Sequence, residues 1–147
     1  MSSAGDKVAL TGGCHCGAVA VTFATRRRPE ELPLRACACS FCRRHGARCA
    51  SDPAGSVRID VADPARVSRY RFALGTADFL VCARCGVYVA AVLAGGPKAY
   101  AIVNVNALDA AFPQAAASVS YDHEDEAARR ARRESNWTPA EVCVHGA

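Results

Sequence analysis

Nine cysteines in 147 residues constrain this chain more than any other feature. An odd count cannot close completely into disulfides within one chain. Seven of the nine fall into three tight groups: Cys14-His15-Cys16, Cys37-Ala38-Cys39-Ser40-Phe41-Cys42 and Cys82-Ala83-Arg84-Cys85, with Cys49 and Cys143 apart. Close spacings of this kind point to metal or catalysis rather than to a disulfide framework. A tetrahedral zinc ion takes thiolates at about 2.3 Å, so two sulfurs must converge from one tight turn, and C-x-C or C-x-x-C turns allow that with little strain. Gly17 follows the first pair and Gly86 the last. A glycine there admits a left-handed backbone that turns amides toward the sulfurs. Cys14, Cys16, Cys82 and Cys85 therefore read as the two halves of one closed, structural four-thiolate site. Each half precedes a strand, Ala18–Ala24 or Val87–Leu93, and strands lying side by side would join the halves.

Cys37, Cys39 and Cys42 remain. Three thiolates within six residues can hold one ion and leave its fourth position open, which is how catalytic zinc sites are built. Such an electron-rich ion is a poor Lewis acid, better suited to holding an incoming thiol as thiolate. A second structural zinc completed by Cys49 or a histidine, or a redox role, are the other readings of this triad. Arg43, Arg44 and Arg48 follow directly and are suited to carboxylate contacts, with His45 as a proton carrier or substrate contact.

The rest of the chain frames these groups. Its length fits one domain, residues 1–147, and is enough for a real core. Hydrophobic residues make up 51% and charged residues 22%, which excludes a disordered, collagen-like or coiled-coil chain. The longest apolar stretch, Val87–Ala94, is far short of the roughly 18 residues a membrane helix needs. The opening Met1–Lys7 lacks the apolar core of a secretory signal, so a cytoplasmic location is expected. Arginine-rich, alanine-rich usage suggests a GC-rich, bacterial genome. The net charge of +4 is too modest to argue for nucleic acid.

Short strands are expected at Val19–Phe23, Leu34–Ala38, Val57–Val61, Tyr70–Phe72, Asp78–Val81, Val87–Leu93, Tyr100–Val105 and Val119–Tyr121, with a loop at Gly95-Gly96-Pro97. One segment, His123–Glu134, reads as a helix. Its acids come first and its arginines last, matching the helix dipole, with i,i+4 pairs Asp125–Arg129 and Glu126–Arg130. Its arginines read as a solvated face. The core is expected over about 8–121, with 122–147 a helical extension.

Gly12-Gly13-Cys14-His15-Cys16-Gly17-Ala18-Val19, Cys37–Ala47 and Phe79–Val87 together resemble the glutathione-dependent formaldehyde-activating enzyme family, which also contains centromere protein V. The resemblance runs from about Leu10 to Tyr121 and leaves out the charged segment Asp122–Trp137. It implies a mainly β, β-tent-like fold of two small antiparallel sheets around zinc sites, with one short C-terminal helix. It implies two zinc ions per chain: a structural one on Cys14, Cys16, Cys82 and Cys85, and a catalytic one on Cys37, Cys39 and Cys42 whose fourth position is open to glutathione. The implied activity is that of a carbon–sulfur lyase resembling S-(hydroxymethyl)glutathione synthase, acting on glutathione or a similar thiol and formaldehyde or another small aldehyde. A homodimer is compatible with this reading. The alternative is a non-catalytic zinc-binding module for a protein or nucleic-acid partner.

Overall fold

The structure is a computed structural model and describes residues 6–93, 96 and 98–146. Along the chain run strands β1 (Val8–Gly13), β2 (Val19–Thr25) and β3 (Arg35–Cys37), a short helix α1 (Ser40–His45), then β4 (Cys49–Ala50), β5 (Ser56–Val61), β6 (Val67–Tyr70), β7 (Ala77–Cys82), β8 (Tyr88–Leu93), β9 (Ala99–Asn104) and β10 (Ala117–Val119). Helix α2 (Glu126–Asn136) and strand β11 (Thr138–Val144) close the order. The mainly β expectation with a short C-terminal helix holds. Gly95 and Pro97 of the expected loop lie outside the described residues, as do Met1–Gly5 of the opening stretch.

Where two antiparallel sheets were expected, one folded ladder runs β1-β2-β5-β11-β9-β4-β3-β10, and β6-β7-β8 attaches to it through β9. Two pairings are parallel, β3 with β10 and β5 with β11. The tail differs most from its reading as a helical extension. β11 lies in the middle of the ladder, parallel to β5 and antiparallel to β9. A buried network secures its start: Thr25 Oγ1 donates to Asp52 Oδ2 at 2.6 Å, and the Asp52 amide donates to Thr138 Oγ1 at 2.8 Å. The strand expected at Tyr70–Phe72 ends at Tyr70, because the chain turns through Ala73, whose φ is 54°.

The apolar residues form two clusters on opposite faces of the central strands. β8 is buried along its whole length, which explains its unbroken apolar sequence. Opposite it, β7 alternates: Ala77 and Phe79 enter one cluster, Leu80 and Cys82 the other. The β7–β8 register jumps, Leu80 facing Ala90 but Val81 facing Tyr88, so Val89 is an extra residue in a bulge. The bulge shifts the phase of β8 and puts Tyr88 in the same cluster as Ala91. No helix among the described residues is long and apolar enough to cross a membrane.

Candidate metal centres

The thiols of Cys14, Cys16, Cys82 and Cys85 converge, with all four sulfurs within 4.8 Å of one another. Cys14 and Cys16 Sγ are 3.7 Å apart, and Cys16 and Cys82 Sγ 3.5 Å. A tetrahedron with zinc–sulfur bonds of about 2.3 Å has sulfur–sulfur edges of roughly 3.8 Å, so the donor set fits that ion closely. Gly17 and Gly86 take the left-handed backbone, with φ of 86° and 81°. Backbone amides do turn to the sulfurs: Val19 donates to Cys14 at 3.2 Å, and Arg84 and Cys85 donate to Cys82 at 3.4 Å each. Burial pushes the Cys14 thiol up to about 11. Burial also acts upward on Cys85, but the amides of Val87 and Cys16 outweigh it and bring that thiol down to about 6.

The two halves are joined differently from the expectation. β2 hydrogen-bonds to β1 and β5, and β8 to β7 and β9, so the strands following the two turns are not neighbours in the ladder. Both strands instead contribute to one apolar cluster, Val19 and Val21 from β2 and Val89 and Val92 from β8, and Cys14 and Cys82 belong to the same cluster.

The second group sits where β3 runs into α1. Cys37 ends the strand, Cys39 is the N-cap of the helix, and Cys42 is buried in its first turn. The Cys42 amide donates to Cys39 Sγ at 3.3 Å. The three sulfurs lie within 4.8 Å of one another, and no fourth histidine, cysteine or carboxylate among the described residues joins them. Cys49 is buried close by, and burial pushes its thiol up to about 12, yet its sulfur stands outside the group. The hydrogen bond from Cys42 is the chief reason the Cys37 thiol falls to about 5, against burial, with the Arg132 guanidinium adding to the fall. Cys42 rises, first because it donates to Cys37 and then because it is buried. Phe41 anchors α1 in an aromatic cluster, with ring centroids 4.9 Å from both Phe79 and Tyr88 and 5.4 Å from Phe72.

The triad opens into a cavity of about 330 Å³. Ligand pockets start near this size, at about 300 Å³. Phe79, Tyr88, Ile102 and Trp137 make its apolar wall, and Arg35, Arg129, Arg132 and Arg133 its cations, with Asp122 and Glu124 as carboxylates.

The family model for the glutathione-dependent formaldehyde-activating enzyme matches residues 9–123. The chain belongs to that family. A crystal structure of a Rhodobacter sphaeroides protein from the Northeast Structural Genomics effort is similar at 30% identity, with a TM-score of 0.56, over 75% of this chain and 100% of that one. No protein of curated function matches the chain.

Within this family member, the structure redistributes the cationic candidates. Arg43, Arg44 and His45 are exposed on the last turn of α1 and none lines the cavity. Arg43 Nε donates back to the Ala38 carbonyl at 3.2 Å, and His45 packs on Phe41. Arg48 binds Asn106 Oδ1 and the Phe112 carbonyl. Expected as substrate contacts, Arg43, Arg44 and His45 follow the triad in sequence but do not line the cavity beside it. The cations that do face the cavity come mostly from α2, whose arginines were read as a solvated face. Arg133 is buried, Arg129 and Arg132 are half-buried, and all three line the cavity. The pair Asp125–Arg129 does not form, because the Asp125 carboxylate caps the helix by accepting from the Ala128 amide at 2.8 Å. Glu124 takes the arginines instead, Arg132 at 2.8 Å and Arg129 at 3.5 Å. Glu126–Arg130 is present at 3.8 Å. The signal for an inward helix face was the spacing of Arg129, Arg132, Arg133 and Trp137, the i, i+3, i+4 and i+8 pattern of one helical side.

Proposed function

We propose that this chain is a zinc-dependent carbon–sulfur lyase, resembling S-(hydroxymethyl)glutathione synthase, that adds glutathione or a similar thiol to formaldehyde or another small aldehyde. The observation that carries the reading is the three-sulfur group at the cavity, Cys37, Cys39 and Cys42, with no fourth protein donor among the described residues. Family membership supports it. Cys14, Cys16, Cys82 and Cys85 would hold a second zinc in a closed site with no role in the reaction.

Zinc on the triad would supply affinity for the incoming sulfur and keep it ionised at neutral pH. The protein's own part is to confine both reactants in one small, largely apolar space, which turns a bimolecular encounter into a positioned one. Phe41 holds α1 and with it the spacing of the three sulfurs. Tyr88 stays protonated because its complete burial raises its titration far above the ordinary range, so its hydroxyl remains neutral beside Cys49. The addition forms one carbon–sulfur bond, and the proton lost from sulfur is matched by one gained at the carbonyl oxygen. Nothing is oxidised. With His45 outside the cavity, the proton for the new hydroxyl comes from solvent.

The test couples metal content to rate. The purified protein is expected to carry two zinc ions per chain and to accelerate exchange between glutathione and formaldehyde above the uncatalysed rate, read by NMR exchange spectroscopy. Cys39→Ala is expected to lose one zinc and the acceleration together. Unchanged turnover in that variant would overturn the proposal.

A further inference from the structure

The charges around the cavity do not balance. Glu124 is shared between Arg129 and Arg132. Arg133, 8% exposed, makes no ion pair with any described residue. Its Nη1 donates to the buried Thr76 Oγ1 at 2.7 Å, its guanidinium carbon lies 4.7 Å from the centre of the Trp137 ring, and its buried Nε has no hydrogen-bond partner. Burial first, then repulsion from Arg132 and Arg129, brings Arg133 down to about 10, so it is still a cation at neutral pH. Burying an unpaired cation is costly, and such a group is retained where an anion completes it. The forked donors of a guanidinium match a carboxylate. Formaldehyde has no carboxylate. Arg133 and Trp137 also lie beyond residues 9–123, the span matched by the family model, so this corner of the cavity is built by the part of the chain that the match leaves out.

We propose that Arg133, positioned by Thr76 and stacked on Trp137, binds the carboxylate of the molecule that reacts at Cys37, Cys39 and Cys42. The inference rests on the thiol–aldehyde reading of the same cavity and adds to it a requirement: one of the two reactants is an acid. The carboxylate belongs either to the thiol, as in glutathione, or to an aldehyde acid.

Calorimetric titration of the zinc-loaded full chain tests this without turnover. The probes are S-methylglutathione, which cannot react at sulfur, and benzoate, with benzamide as the neutral isostere of benzoate. At least one carboxylate probe is expected to bind, with benzamide much weaker than benzoate if the aldehyde supplies the acid. Arg133→Met is expected to weaken that probe by roughly tenfold or more. Thr76→Val keeps the guanidinium and removes its hydroxyl partner, so it is expected to weaken the same probe severalfold and decides the matter if Arg133→Met fails to fold. Binding of S-methylglutathione alone assigns the carboxylate to the thiol, and binding of benzoate assigns it to the aldehyde. Binding of neither, or affinities unchanged within twofold in the variants that fold, overturns the proposal. Cys39→Ala is expected to keep carboxylate binding. Loss of catalysis with Arg133-dependent binding intact, or the reverse, therefore tells apart a failure of this inference and a failure of the lyase reading.

Discussion

Cys39 does two things that few side chains can do together. Its backbone is extended at the start of α1 and its sulfur accepts the Cys42 amide, so it caps the helix. The same sulfur belongs to the triad. Serine is among the best N-cap residues but a hard oxygen donor, a poor replacement for thiolate at a soft site. Cys39→Ser is therefore expected to keep the cap: with the triad free of zinc in both proteins, helix content and melting temperature should agree within about 1 kcal/mol, while under zinc-loading conditions the variant carries one zinc fewer per chain. Circular dichroism melts paired with elemental analysis check both halves, and a large fall in stability with zinc retained would contradict the double role. The triad was legible in the sequence because C-x-C-x-x-C is a local pattern. The contacts of Arg133 were not, since Thr76 lies 57 residues away.

At the scale of elements, the strands with clear period or an unbroken apolar run were readable, and their partners were not. Val57–Val61 alternates and is β5 almost residue for residue. Nothing local says that β5 pairs with the last strand of the chain. Thr138–Val144 contains Pro139 and only two large apolar residues, Val142 and Val144, so its strand signal is weak, and it is set by the network of Thr25, Asp52 and Thr138. The bulge at Val89, which turns Tyr88 toward the triad, has no sequence signature either. β11 fills the ladder between β5 and β9, so a chain ending at Asp122, which includes nearly all of the family match, would expose the facing edges of both strands. Such a truncation is expected not to fold into a stable monomer. Proton NMR shift dispersion checks this directly: a dispersed spectrum from residues 1–122 would mean that β11 is an accessory strand.

Across the whole molecule, the two cysteine groups sit in different apolar clusters, Cys14 and Cys82 in one, and Cys42 in the other with Cys37 and Cys39 packed against it. Acid acts on both regions, through different groups. Protons compete with metal for thiolates, so metal binding, and the folding free energy coupled to it, weakens as pH falls. Glu124 adds a separate contribution. The Arg132 hydrogen bond, with Arg132 and Arg129 as neighbouring charges, holds its carboxyl below its ordinary 4.5. The folded chain then binds this proton less readily than the unfolded chain. The stabilisation from Glu124 is fully present above about pH 4.5 and is lost as pH falls through its lowered folded value. The side chain is 10% exposed. Glu124→Gln leaves Arg129 and Arg132 without their carboxylate, at a cost of roughly 1–3 kcal/mol near pH 7, between the values for an exposed and a fully buried pair. Metal loss affects both proteins alike, so the gap between their unfolding free energies isolates the carboxylate. That gap is expected to be constant from pH 7 to about pH 5 and to shrink below it, as read from urea denaturation at each pH. A gap that stayed constant down to pH 3 would mean that Glu124 titrates normally and that Arg129 and Arg132 do not depend on it.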